Sequence, residues 1–168
     1  RRGAKEGNQK LFFYNLFSVA TCSTIAKYGT ITSDFDHLNE WLDTYPFENS
    51  HVEDSALQKQ EILIEGMLQK QNFLDLLHTY TVFRDEPAAT QKIVARYHQF
   101  RAVKKIVERL RIGKTPFEKG GIIWHTQGSG KSLTMMFTVR ELYHHQAEFG
   151  RFKIVFVTDR RDLERQLT

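Results

Sequence analysis

The stretch Thr126-Gln127-Gly128-Ser129-Gly130-Lys131-Ser132 constrains this chain more than any other. An apolar run, Gly120-Gly121-Ile122-Ile123-Trp124, leads into it, and an amphipathic segment follows it to about His145. The run has the unbroken apolar character of a strand buried in a parallel sheet. Gly128 and Gly130 permit a backbone curl that turns successive amide N–H groups inward, as a phosphate requires. Lys131 opens the helix, so its ammonium and the helix N-terminus converge on the β- and γ-phosphates of a nucleotide. Ser132 then offers its hydroxyl to the accompanying Mg2+. This is a phosphate-binding loop of the G-K-[ST] type, with His125 where the textual pattern asks for glycine. A second apolar run, Lys153-Ile154-Val155-Phe156-Val157-Thr158, completes strand, helix and strand. The second half is therefore expected to be α/β, with neighbouring parallel strands and a right-handed crossover.

Composition bounds the rest. The chain has 168 residues, 40% hydrophobic and 26% charged, enough for a real core and unlike disordered or low-complexity sequence. No window approaches the roughly 18 apolar residues of a membrane span. The first residues lack the apolar core of a secretory signal. One cysteine, Cys22, excludes an internal disulfide and fits a reducing cytosol. The chain opens on Arg1 and stops inside a helical pattern, and is expected to be an excerpt of a larger protein. Its net charge of +4 is unevenly spread: residues 1–84 carry 8 basic and 11 acidic side chains, residues 85–168 carry 16 and 9. A basic second half suits phosphate-bearing partners, nucleotide or nucleic acid.

Ahead of the loop, residues 11–21 mix aromatic and β-branched side chains and predict a buried strand, with a second short strand near Gly29-Thr30-Ile31-Thr32. Residues 33–54 read as a short helix followed by a loop. From Ser55 a helical period sets in, with Ile62, Leu63, Met67 and Leu68 on one stripe and Phe73, Leu74, Leu76 and Leu77 on another. Tyr80-Thr81-Val82-Phe83 reads as a short strand. Residues 87–112 give the clearest helical pattern: Ile93, Tyr97, Phe100, Val103, Val107 and Leu110 recur at steps of three and four. Pro87 suits its first turn and Gly113 the residue past its end. Lys92, Arg96, Lys104, Lys105, Arg109 and Arg111 form a solvated basic face.

A phosphate loop does not hydrolyse ATP alone; an acid on a downstream strand must hold Mg2+ and orient water. The only Asp-Glu pair, Asp85-Glu86, lies upstream and reads as a helix start, which puts the expected acid beyond Thr168. Metal-dependent nuclease sites need an acid and a [DE]-x-K element, and that triplet occurs nowhere in the chain. Asp34 and Asp36 have no lysine beside them and read as turn or cap residues. No His and Cys cluster has zinc spacing, and His144-His145 reads as a solvated pair near a helix end.

These residues resemble the restriction, or motor, subunit of type I restriction endonucleases, a superfamily-two helicase-like translocase. Residues 121–132, with Trp124-His125 before the loop, look like that family's motif I, in which Thr126 takes the place of an early small residue. Residues 156–167 are similar to its motif Ia, an Asp-Arg-x-x-Leu-x-x-Gln pattern running from Asp159 to Gln166. Residues 96–103 resemble the segment whose glutamine reads adenine, here Gln99, and residues 73–77, 15 and 29–31 resemble the stretch joining nuclease to motor.

The resemblance implies an N-terminal metal-dependent nuclease followed by RecA-like motor domains that pump duplex DNA using ATP. On it, Gln99 contacts adenine, Thr126 to Lys131 hold the phosphates with Lys131 as the catalytic cation, and Ser132 holds Mg2+. Thr158, Asp159 and Arg160 meet the DNA backbone, and methylation and specificity subunits are the protein partners. The implied division is residues 1–54 as the last part of the nuclease domain, 55–86 as connecting helices, and 87–168 as the start of motor domain one. The nuclease residues are then expected before Arg1. From the residues without the resemblance, a nucleotide-dependent switch or another superfamily-two helicase stays open.

Overall fold

A computed structural model describes residues 14–33, 38–47, 58–85 and 90–157. They gather into two units, Arg1–His98 and Gln99–Thr168. The predicted features at Asp34, Asp36, Pro87 and residues 48–54 lie outside the described residues, as do Thr158, Asp159 and Arg160.

In the first unit, β1 (Ser18–Cys22) and β2 (Ile25–Gly29) form an antiparallel hairpin across Ser23 and Thr24, in register from Ser18 opposite Gly29 to Cys22 opposite Ile25. The first strand thus starts later than the aromatic run suggests, and the second ends at Gly29. Tyr28 extends the pairing by a bridge to Asn39, each N–H donating to the other's carbonyl at 2.8 Å. Residues 38–47 carry this bridge and turns; the short helix expected there is not present among the described residues. Tyr28 is fully buried edge-to-face against Trp41, and its hydroxyl donates to the Ala95 carbonyl at 3.0 Å. Burial raises the pKa of that hydroxyl well above its ordinary value.

Helix α1 (Lys59–Ile62) runs straight into a π-helical turn, Leu63–Met67, and α2 (Lys70–His78) follows. Of the two predicted stripes, Leu63, Met67 and Leu76 reach the core, while Leu68, Leu74 and Leu77 stay partly in solvent. The strand expected at 80–83 is β3 (Thr81–Asp85), and it pairs antiparallel with β4 (Thr90–Val94).

That pairing corrects the reading of 87–112 as one helix. Helix α3 begins at Tyr97 and runs to Ile112. Ile93 and Tyr97 fit a three-four period, but Thr90, Ile93 and Val94 are also β-branched, and a ready antiparallel partner in β3 decides the contest. Asp85 accordingly ends a strand instead of starting a helix, with its carboxylate accepting from the Thr90 hydroxyl at 2.8 Å.

In the second unit, α3 buries Gln99, Phe100, Val103 and Val107. A four-residue helix, α4 (Pro116–Lys119), is closed by a capping box in which Thr115 and Glu118 exchange hydrogen bonds. Helix α5 (Lys131–His144) buries Thr134, Phe137 and Glu141, and α6 (Gln146–Phe149) follows it. The parallel strands expected at 120–124 and 153–158 carry no ladder: among the described residues the sheets are the two antiparallel pairs. A strand requires a hydrogen-bonded neighbour, and here Ile122, Trp124, Val155 and Val157 remain at least 80% exposed. The architecture is mixed α/β. No helix of the described residues is long and apolar enough to cross a membrane.

Candidate phosphate-binding site

The loop between Trp124 and α5 has the backbone that its glycines predict. Gly128 and Gly130 have φ of 77° and 81°, in the left-handed region where glycine is at ease. Gly130 is the N-cap of α5, so the helix starts at Lys131, and Ser132 and Leu133 complete its first turn. By helix geometry the amides of that first turn have no intrahelical acceptor, which gives the helix end its partial positive charge. A side chain at Gly128 would meet nothing within 4 Å, so the outer face of the loop is open.

Within the loop the carbonyl of Thr126 is the hub. It accepts from the Ser129 N–H at 3.3 Å, the Ser129 hydroxyl at 2.7 Å and Lys131 Nζ at 3.0 Å. Lys131 Nζ also donates to the His125 carbonyl at 3.1 Å. The exposed lysine is thereby folded over the loop it follows, and its ammonium stands among the backbone groups of residues 125–131. Gln127 is exposed at the turn, and Ser132 is half-buried one residue into the helix. His125 contributes its carbonyl, and a carbonyl does not depend on the residue being glycine.

Gln99 comes in from α3. It is 2% exposed, and Nε2 donates to the carbonyls of both Ser129 and Gly130, each at 3.1 Å. The structure therefore brings Gln99, Thr126, Gly128, Ser129, Gly130, Lys131 and Ser132 into one place. Nothing in the sequence links positions 99 and 130; their contact follows from how α3 packs.

Further features escaped sequence reasoning. Lys104 of α3 pairs with Glu141 of α5 at 2.7 Å, and Glu141 is nearly fully buried. His145 is half-exposed with Nε2 3.6 Å from the same carboxylate, so the His144-His145 pair is not simply solvated. Arg111 and Glu148 form a hydrogen-bonded ion pair that lowers the Glu148 pKa and raises that of Arg111. Beside the loop lies a cavity of about 320 Å3 lined by Ile106, Ile123, Leu142, Ile154 and Phe156 and reaching His125 and Lys131.

The arrangement can hold an anion: two left-handed glycines, a helix N-terminus and one ammonium converge within a few residues. The donor set also fits a nucleotide with its magnesium ion, since the Ser132 hydroxyl follows directly on Lys131.

Residues 98–168 match the SWI2/SNF2 ATPase family. The chain is 35% identical to the type I restriction enzyme HindI endonuclease subunit of Haemophilus influenzae, over 97% of this chain and 16% of that protein. A Methanocaldococcus jannaschii protein, provisionally named as the MjaIXP type I restriction enzyme endonuclease subunit, is 31% identical over 94% of this chain and 16% of its own length. The SauCOLORF180P type I endonuclease subunit of Staphylococcus aureus is 25% identical over 76% of this chain and 13% of its own length. The chain thus spans about one sixth of the first two relatives.

Proposed function

The chain is homologous along nearly its whole length to endonuclease subunits of type I restriction enzymes, and on that premise we propose that it is the ATP-binding segment of a DNA-translocating, DNA-cleaving subunit. The observation that carries the reading is the loop at 126–132, where Gly128 and Gly130 take left-handed conformations ahead of Lys131 at a helix N-terminus. Thr126, Gln127, Gly128, Ser129 and Gly130 form the cradle for the triphosphate. Lys131 exchanges the carbonyls of His125 and Thr126 for phosphate oxygens and offsets their charge. Ser132 would hold Mg2+, which when bound supplies neutralisation of the β- and γ-phosphate charge.

Residues 1–54 are assigned to the end of a nuclease domain, 55–86 to connecting helices and 87–168 to the start of a RecA-like motor domain, with the β3–β4 hairpin spanning the second junction. The runs 120–124 and 153–158 are read as parallel neighbours in the sheet of that motor domain. The exposure of Ile122, Trp124, Val155 and Val157 supports this, because side chains so apolar belong under cover. Thr158, Asp159 and Arg160 are assigned to the DNA backbone, and duplex DNA with the methylation and specificity subunits are the partners, in the cytoplasm.

The test is ATP hydrolysis by the full native chain with its methylation and specificity subunits, with and without duplex DNA. Hydrolysis that DNA stimulates and Lys131→Ala removes is the expected result. ATP binding without DNA-dependent turnover would replace the motor with a nucleotide switch.

A further inference from the structure

Among the described residues β4 has one neighbouring strand, β3, yet both of its edges are bonded. On the edge away from β3, hydroxyls stand where a third strand would be. The Lys92 N–H donates to the Thr32 hydroxyl at 3.0 Å, and that hydroxyl donates back to the Lys92 carbonyl at 3.0 Å. The Thr30 hydroxyl, on a residue 1% exposed, donates to the same carbonyl at 2.6 Å. A hydroxyl is donor and acceptor at once, so Thr32 can answer both backbone groups of one strand residue. A hairpin of two strands is marginal by itself, and this second edge is what makes β4 secure.

The same segment holds the strand's exit. Ala95 is fully buried; its N–H donates to the Tyr80 carbonyl at 2.9 Å, and its carbonyl accepts from the Tyr28 hydroxyl at 3.0 Å. Strand β4 ends at Val94 and α3 begins at Tyr97. Any displacement of α3 therefore pulls on β4 through Ala95 and the exposed Arg96, and meets its first fixed point at Ala95.

We infer that Tyr28, Thr30 and Thr32 form a clamp that makes β4 the fixed attachment of α3, through which movement driven by the nucleotide reaches residues 1–54. The inference rests on the reading above, in which those residues end a nuclease domain and α3 belongs to the motor. The three are positioning residues: they hold backbone of β4 and its exit, and touch neither nucleotide nor the scissile DNA in that reading. Tyr28 and Thr30 are buried and Thr32 is not, so the hydroxyl of Thr32 is the member of the clamp that hydrophobic packing explains least.

The test uses the full native chain assembled with its methylation and specificity subunits. The double variant Tyr28→Phe with Thr32→Val removes the two hydroxyls and leaves the Tyr28 ring position filled against Trp41. Thr32→Ser keeps the hydroxyl. Hydrogen exchange at the Lys92 amide is expected to quicken at least about tenfold in the double variant, with α3 keeping its protection. ATP hydrolysis in the presence of duplex DNA is expected to stay within about twofold of the parent. DNA cleaved per ATP hydrolysed is expected to fall about tenfold, the size of an ordinary coupling between sites. Thr32→Ser is expected to behave as the parent in all three measurements.

Parent-level cleavage per ATP in the double variant would overturn the inference, because the clamp would then carry nothing between the two halves. Unchanged exchange at Lys92 would overturn it as well, since the hydroxyls would not be what holds β4. So would a joint loss of hydrolysis and of protection through α3, which would make the segment a general support of the fold. A Thr32→Ser variant as defective as the double one would assign the effect to the lost methyl and not to the hydroxyl. A parent complex without DNA-stimulated hydrolysis or cleavage would bring down the motor and nuclease reading itself, and is seen before any variant is made.

Discussion

Lys104 Nζ lies 2.7 Å from Oε1 of Glu141, an ion pair that ties the helix carrying Gln99 to the helix that begins at the phosphate loop. The Glu141 side chain is 3% exposed and that of Lys104 15%, so the pair is largely out of water. Removing one member leaves a buried charge uncompensated, which costs about 3 kcal/mol, whereas replacing both by apolar groups is far milder. Lys104→Met is expected to destabilise the chain by about that amount, and Lys104→Met with Glu141→Leu to recover most of it. Urea unfolding of the three proteins decides: equal losses in single and double variants would show that the charges are not what couples α3 to α5.

Lys131 folds its ammonium over the loop, where it is held by the carbonyls of His125 and Thr126. Its removal takes away the charge that would meet the developing negative charge of phosphoryl transfer, an effect of about 100-fold or more on turnover. Lys131→Ala is expected to abolish measurable DNA-dependent ATP hydrolysis while leaving the thermal transition close to that of the parent, since the side chain is exposed. Wild-type turnover in this variant would remove the loop from the mechanism.

The two loop glycines are expected to respond differently to alanine. Gly128 has φ of 77° and nothing near its missing Cβ, so Gly128→Ala meets only the left-handed penalty of about 1 kcal/mol. Gly130 has φ of 81° and Gln99 Nε2 against the same position, so Gly130→Ala meets that penalty and also displaces a buried amide. The expected order of loss, in both thermal stability and ATP affinity, is Gly130→Ala well beyond Gly128→Ala. Calorimetric unfolding and nucleotide titration of both variants test it, and a reversed order would mean that the Gln99 contact is dispensable.

What the sequence disclosed was local. The glycines, Lys131 and the start of α5 follow from backbone rules that act over a few residues, and they are where the motif puts them. Over residues 90–96 the helical reading fails for a definable reason. Ile93 and Tyr97 satisfy a helical period and a strand alternation at once, and the choice belongs to β3, whose Val82 pairs with Ile93. The parallel runs at 120–124 and 153–158 show the converse: their apolar character calls for a sheet, but pairing is a property of neighbours, and the described residues supply none. Gln99 to Gly130 and Lys104 to Glu141 join residues more than 30 positions apart, where no spacing rule reaches.

Glu118 offers a pH-dependent check on the turn that leads toward the loop. Its carboxylate accepts from the backbone N–H groups of Lys114, at 2.6 Å, and Thr115, at 3.2 Å, and these hold its pKa below the ordinary value of 4.5. A depressed carboxylate pKa contributes stability that is present above the unfolded value and lost as pH falls through the folded one. Glu118→Ala is therefore expected to unfold at a lower temperature than the parent at pH 7, with the gap narrowing once pH drops below about 4.5. Glu118→Gln keeps an acceptor without the charge and is expected to fall between the two at pH 7 and to show a flatter acid dependence than the parent. Thermal unfolding of the three proteins from pH 7 to pH 3 makes the comparison. A gap between parent and Glu118→Ala that widens in acid would mean that the neutral carboxyl, not the carboxylate, is what the capping box favours.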